Sequence, residues 1–423
     1  MLFPRPKPLL RCLLALLLLV LSNACVPWPG PTGTPLAPKP LIPRWTIYDQ
    51  DPDHLWNRMF RQFYGRTSGD GTEYGSHSLD PLLWFETTYL LEEESTQRAL
   101  ALLDEFTSTG GEELIVDPMR RALLQRDLWA VFDWTTLRQD TFPEERREFQ
   151  RRLAEVIGRL ALPQEEILAL PDNLAAAADA GMFPAAFQPD RPEVPFLPPG
   201  LLDPEGGWIL IGRDGGPAAT SHTVSFPFFG RSAFLVFLRA PGGRQASPAF
   251  LERLNNERGS PSLASTNLTG LEVALVRRAV LIDDHGRLIL SPLVESVQLR
   301  HYAPLQQFYE FQLDRIAFFE EPAGGLQPVE EEFALFFAHG IDPFESGFGG
   351  RSSPPESCRS CHGGEAYGVQ SILSYSRFRF DSPDGEAPYL TPTTVQEEAM
   401  SVISWKMQDQ TWEILRSFWR GSG

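Results

Sequence analysis

The residues with the clearest chemical potential are two cysteines three positions apart, Cys358 and Cys361, with His362 directly after the second. This is the C-x-x-C-H spacing at which a haem is attached covalently. Each thiol can add across one vinyl group on the same edge of the porphyrin, and the imidazole that follows then lies under the iron as a good axial ligand. The spacing therefore predicts one covalent haem c, with Cys358, Cys361 and His362 as cofactor-binding residues and His362 as the metal ligand.

Two other kinds of site also use closely spaced thiols. A structural zinc site would need further Cys or His ligands, and neither residue type occurs after His362 in the sequence. A thioredoxin-like redox pair is expected where a helix opens after a buried strand, whereas residues 351–357 (R-S-S-P-P-E-S) have the composition of a loop. The zinc and redox alternatives therefore have less support than haem attachment.

At this motif the chain resembles the c-type cytochromes. The resemblance rests on Cys358, Cys361 and His362, with the glycine pair that follows them, and it covers at most the last quarter of the chain. It implies a small, mainly helical haem domain that carries electrons one at a time. The sixth iron ligand stays open at this point between Met400 or Met407, His339, and some other or no ligand.

The first residues predict export from the cytoplasm. Arg5, Lys7 and Arg11 precede an apolar run over 13–21, which is too short to span a bilayer and is flanked as an export signal is. Ordinary cleavage near Ala24 is one outcome. Lipidation of Cys25, as in a bacterial lipoprotein, is the other and the one that we favour. Either outcome predicts an extracytoplasmic protein, in the periplasm or cell envelope. The resemblance to the c-type cytochromes implies the same location, because bacteria attach the haem of that family outside the cytoplasm.

Composition limits the partners of the mature protein. Residues 25–44 are rich in proline and predict an extended tether between the membrane anchor and the folded chain. Loss of the three cations in the signal, 1–24, changes the formal net charge from −18 to −21. This charge argues against nucleic acid as a partner and suits a basic redox partner protein. Ordinary solubility would explain the charge as well.

Hydrophobic periodicity predicts an α+β, multidomain protein. Residues 45–190 read as a helical domain, with helices expected from Pro118 and Pro143. Residues 205–319 carry short apolar runs rich in β-formers and predict a mostly antiparallel sheet, as a sandwich or an α+β sheet, with one helix near 248–256. Residues 320–423 are assigned to the haem domain. Within it, one helix is expected over 329–338 and another over 394–418.

Other chemical signatures are weak or absent from the sequence. Asp49, Asp51 and Asp53 begin like a calcium loop, but the pattern then fails and predicts an acidic turn before a helix. We find no P-loop, dinucleotide fingerprint, zincin motif or nucleophile elbow, and we assign no catalytic residue. The sequence thus favours a membrane-tethered mono-haem electron carrier. A peroxidase-type haem enzyme and a haem-containing sensor or binding lipoprotein remain as alternatives.

Overall fold

Helices and one antiparallel sheet make up the part of the chain that the structure describes. A computed structural model describes residues 45–67, 73–74, 89–136, 143–224, 228–257, 268–302, 306–329 and 389–420. The described residues belong to one compact unit. The predicted export signal and tether, the helix expected over 329–338, His339 and the residues Cys358, Cys361 and His362 lie outside the described residues.

The helices come mainly before the sheet and after its last strand. They are α1 (Leu55–Tyr64), α2 (Glu93–Thr109), α3 (Pro118–Thr135), α4 (Pro143–Arg159), α5 (Gln164–Leu168), α6 (Asn173–Asp179), α7 (Thr220–Thr223), α8 (Ser247–Glu257), α9 (Arg315–Glu320), α10 (Val395–Gln408) and α11 (Gln410–Arg420). Short 3-10 turns lie at Tyr89–Leu91, Gly111–Glu113 and Pro322–Gly324.

Helices α3 and α4 begin where the sequence predicts. The side chain of Asp117 accepts a hydrogen bond from the amide of Met119, and Pro118 occupies the first turn, where no amide donor is needed. Almost every position of α3 is buried, because this helix lies between other helices and the sheet. The helix predicted near 248–256 is present as α8.

The strands form a two-stranded hairpin and one seven-stranded sheet. The hairpin pairs β1 (Arg66–Thr67) with β2 (Glu73–Tyr74). The sheet contains β3 (Ile209–Arg213), β4 (Ser232–Arg239), β5 (Glu272–Ile282), β6 (Leu288–His301), β7 (Gln307–Leu313), β8 (Leu326–Pro328) and β9 (Leu390–Thr393). Its order is β8-β7-β6-β5-β4-β3-β9, and every neighbouring pair is antiparallel. The described fold is therefore mixed α+β, with an antiparallel sheet as expected.

The centre of the sheet is a long hairpin. Strands β5 and β6 each join two of the apolar runs in the sequence, and the register shifts near Arg278 where a bulge interrupts the pairing. The turn between them contains Gly286 at φ 71°, a left-handed conformation that glycine adopts without steric cost. Four expected strand segments are thus two bent strands.

The two faces of the sheet have different covers. Leu235, Phe237, Val276 and Val297 point to the back face, which packs on α6 and on the segment around 196–208. The back cluster continues to β7 through Tyr309 and Phe311. The front face presents its apolar side chains from β3, β4 and β5, where α8 covers them. These side chains include Ile211, Phe234, Val236, Leu238 and Val273.

The chain end returns to the body of the protein. Strand β9 pairs with β3 at one edge of the sheet. The single helix expected over 394–418 is two helices, because the backbone becomes extended at Asp409. Trp412 and Leu415 of α11 are buried in the same core as α1 to α4. The described parts of 320–423 therefore pack with the sheet and with the N-terminal helices.

Candidate functional site

The predicted haem-binding residues lie in the chain between two anchored ends. At one end, the amide of Val329 donates to the carbonyl of Glu310 on β7 at 2.8 Å. At the other, Leu390 begins β9, and both its amide and its carbonyl bond to the side chain of Asn255 on α8, at 2.8 and 2.7 Å. These ends lie at opposite edges of the sheet. Six spacings between neighbouring strands separate the two edges, which corresponds to a distance of about 29 Å.

A polar strip crosses the front face beyond the apolar cover. It occupies β5, β6 and β7 in register: Arg277 lies opposite Ser296 and Ser296 opposite Gln312, while Gln298 lies opposite Glu310. We call the following residues the polar strip: Arg277, Ser296, Gln298, Arg300, Glu310 and Gln312. Alternating polar residues usually mark a solvated face, yet Glu310 is only 6% and Arg300 only 8% exposed. The strip is therefore charged and largely withdrawn from water.

Glu310 has an unusual acidity because of this burial. Gln298 and Gln312 donate to its two carboxylate oxygens at 3.3 and 2.9 Å. Desolvation raises the pKa of Glu310 to about 7, although these two hydrogen bonds and the charge of Arg277 act in the opposite direction. The carboxyl group is thus poised to change its charge near neutral pH.

This shift predicts a pH dependence of stability. The native state holds the Glu310 proton up to about pH 7, whereas the unfolded chain loses it near pH 4.5, so stability falls as pH rises between these values, by on the order of 3 kcal/mol at most. We expect Glu310→Gln to flatten this fall, as measured by urea unfolding from pH 5 to 8. Glu105→Gln, in an exposed pair with Arg58, is the control. An unchanged slope for Glu310→Gln would contradict the assignment.

Beside the strip, three buried ion clusters join parts of the chain that are far apart in sequence, and the first of them joins α3 to the sheet. Glu295 lies 3.1 Å from Arg126 of α3 and 3.0 Å from Arg277, and it accepts a hydrogen bond from Ser232. Because the carboxylate has both cations and a hydroxyl around it, its burial is compensated. This cluster connects α3 directly to the polar strip.

The second cluster joins three parts of the chain around one carboxylate. Asp133 of α3 lies 2.5 Å from Arg231 and 3.0 Å from Lys406 of α10, and all three side chains are inaccessible to solvent. Lys406 also donates to Thr411 at 2.7 Å and lies over the ring of Trp129. Burial lowers the pKa of Lys406, while the charge of Asp133 opposes that change. The arrangement suits a structural tie and leaves no access for a substrate.

The third cluster lies among the aromatic side chains of the helical layer. Asp127 binds Arg315 of α9 at 2.7 Å and accepts from the hydroxyl of Tyr48 at 3.1 Å. The Arg315 guanidinium stacks over Phe60. Desolvation, followed by the charge of Asp127, raises the pKa of Tyr48 well above its ordinary value. Tyr48 is thus a hydrogen-bond donor rather than an acid at physiological pH.

The described histidines each have a local structural role. His54 caps α1 by accepting a hydrogen bond from the amide of Trp56. Helix α1 therefore begins directly after the acidic turn, as the sequence predicts. His222 stacks on Phe234, and burial lowers its pKa to about 4. His301 stacks on Phe187 with ring centroids 3.8 Å apart. Because His222 stays neutral, it has the protonation state of a metal ligand without a described metal site around it.

The one described group with metal-ligand geometry is the turn Asp283, Asp284 and His285. The carboxylate of Asp283 accepts from Arg287 at 2.7 Å, through the backbone amide and through the side chain, and His285 contacts Asp284. The turn therefore uses its own oxygen atoms to hold the β5–β6 hairpin. Met400 and Met407, expected as candidate iron ligands, are 55% and 49% exposed on α10.

Sequence reasoning missed the polar strip and the ion clusters. A signal for the strip was present, since Gln298 and Arg300 alternate with apolar residues on β6 just as Glu310 and Gln312 do on β7. Comparisons with protein-family models, with curated proteins and with solved structures found no match. In the described part of the chain, no helix is long and apolar enough to cross a membrane.

Proposed function

We propose that the protein is an exported mono-haem c-type cytochrome that carries single electrons. The observation that carries this proposal is the C-x-x-C-H spacing of Cys358, Cys361 and His362 in a chain whose first residues predict an export signal. These side chains fit a covalently bound haem, because its attachment requires two thiols and its iron requires an axial ligand such as the neighbouring imidazole. The haem, when bound, supplies an iron that alternates between the ferrous and ferric states.

The chain's own residues would divide the task between them. Cys358 and Cys361 would hold the porphyrin, and His362 would ligate the iron on one side. A haem domain within 320–423 would include four elements of the described fold, β8, β9, α10 and α11. A lipid on Cys25 would keep the protein at the membrane, and the net charge of −21 after loss of the signal favours a basic redox partner through electrostatic steering.

The test is a visible absorption spectrum of the full chain, expressed in a bacterium that attaches haem to proteins in its periplasm. We expect a reduced α-band that persists after acid–acetone extraction and is lost in Cys358→Ala/Cys361→Ala. Cys25→Ala is the matched control, since it should lose any membrane attachment but keep the band. A chain without covalent haem would refute the proposal. With haem present, a spectrum unchanged by carbon monoxide supports a carrier, and a shifted spectrum supports a haem enzyme or sensor instead.

A further inference from the structure

Exposed apolar side chains gather around the start of helix α3. Seven large apolar side chains of the described residues are strongly exposed, and three of them, Leu114, Val116 and Leu168, belong to the loop before α3 and to the short helix α5. Their exposed fractions are 47%, 90% and 55%. We call these three residues the apolar patch. Single exposed apolar residues are common on proteins, but a group of them at one place is typical of an interaction site.

The two elements that carry the apolar patch are neighbours. Helices α3 and α5 are in contact, and Met119 in the first turn of α3 belongs to the same buried cluster as Ile167 of α5. Val116 is three residues before Met119, and Leu168 is next to Ile167. The members of the patch therefore border the same small core.

The loop that carries Leu114 and Val116 is held in place on both sides. The carbonyl of Gly111, at its start, accepts a hydrogen bond from the indole of Trp56 at 2.8 Å. Ile115 lies between the two exposed residues and packs on the helical core. At its other end, the loop runs into the cap of α3. A loop that is already ordered loses little conformational freedom when it binds, so the fold presents these side chains ready for a partner.

Acidic side chains border the apolar patch. Glu113 lies directly before Leu114, and Glu165 and Glu166 belong to the first turn of α5, before Leu168. All three acidic residues are exposed, and we call them the acidic rim. An apolar centre with a polar rim is the usual layout of a protein–protein interface.

The basic side chains near the acidic rim already have partners. Arg159 lies 3.3 Å from Glu112, and Arg120 lies 3.3 Å from Asp117. The guanidinium of Arg121 donates to backbone carbonyls. The rim therefore dominates the charge that a partner meets here. A second copy of the chain would bring a like-charged rim, and an anionic lipid surface would also be repelled. A basic protein is the partner that this surface fits.

We propose that the apolar patch and the acidic rim together form the docking surface for a basic redox protein, and that an apolar recess of this partner receives Val116 and Leu168. The inference rests on the proposed function for the redox role of the partner. The surface itself lies in the helical layer and does not require haem.

Titration calorimetry of the full chain against a small, basic c-type cytochrome at low salt tests the apolar patch. We expect Val116→Ser/Leu168→Ser to weaken the affinity by about tenfold, because these side chains no longer fill a recess of the partner. The matched control is Met400→Ser/Met407→Ser, which also removes two exposed apolar side chains and should bind within about twofold of the wild type. Wild-type affinity in Val116→Ser/Leu168→Ser, an equal loss in the control, or no binding of the cytochrome by the wild-type chain would overturn the proposal.

A second set of variants tests the acidic rim. Conversion of all three rim residues to glutamine should weaken the binding and reduce its dependence on salt. The control, Glu93→Gln/Glu144→Gln/Glu145→Gln, changes the net charge equally in the first turns of α2 and α4. Equal effects of the two triple variants would show attraction through net charge alone and would reject the docking surface.

Repeating the titration with Cys358→Ala/Cys361→Ala separates this inference from the proposed function. Binding that persists in this variant supports the docking surface even if the wild-type chain holds no haem. Covalent haem in a chain whose patch variant binds like the wild type would refute the docking surface alone.

Discussion

Replacing Asp133 with asparagine is expected to lower the free energy of unfolding by about 3–5 kcal/mol. The carboxylate of Asp133 is fully buried and is shared by Arg231 and Lys406, at 2.5 and 3.0 Å. Removal of its charge leaves the two cations facing each other where water cannot screen them. The midpoint of urea or guanidinium unfolding measures the loss.

Two further variants define the origin of this effect. Glu105→Gln breaks an ion pair with Arg58 in which both side chains are about two-fifths exposed, and we expect it to cost at most ~1 kcal/mol. Adding Lys406→Met to Asp133→Asn should recover part of the loss, because one of the stranded cations is then replaced by an apolar chain of similar length. A loss of under ~1 kcal/mol in Asp133→Asn alone would show that the cluster is not a structural tie.

The elements that sequence reasoning predicted are those with local causes. Helix α3 has its cap and first-turn proline in two adjacent residues, Asp117 and Pro118, and the apolar run of β4 is visible without a partner strand. The edge strands β8 and β9 were missed, since each has only three or four residues and contains a proline, which leaves no strand pattern to recognise. The prediction of one helix over 394–418 also missed the break at Asp409, although its cause is local: the side chain of Asp409 accepts a hydrogen bond from the amide of Thr411 at 2.9 Å at the start of α11.

The same distinction applies to the sites. The haem prediction depends on five consecutive residues, so a sequence alone can carry it. The Asp133 cluster joins residues that are 98 and 273 positions apart, and no spacing rule could connect them. The polar strip was visible as alternation, but its burial depends on what covers the face, which periodicity does not reveal.

Trp412→Ala is expected to destabilise the whole described unit by about 3–5 kcal/mol in one cooperative transition. Trp412 of α11 is 1% exposed and lies against Trp129 of α3 and against Trp419, with ring centroids 5.8 and 6.0 Å apart. Trp419 in turn donates to the carbonyl of Ala154 on α4 at 2.8 Å. The cavity left by Trp412 would therefore open in the core that the N-terminal helices share with the chain end.

Far-UV circular dichroism and tryptophan fluorescence during denaturation distinguish this arrangement from an independent C-terminal domain. If α11 is part of the shared core, both signals should shift together in Trp412→Ala, while Met407→Ala, at a 49% exposed position, should stay within about 0.5 kcal/mol of the wild type. A variant that retained the wild-type transition of the helical layer and gained a second, weaker transition would mean that 389–420 folds apart from it. The packing of Trp412 of α11 against Trp129 of α3 predicts the single transition, because no boundary in the described core separates the chain end from the helices that precede the sheet.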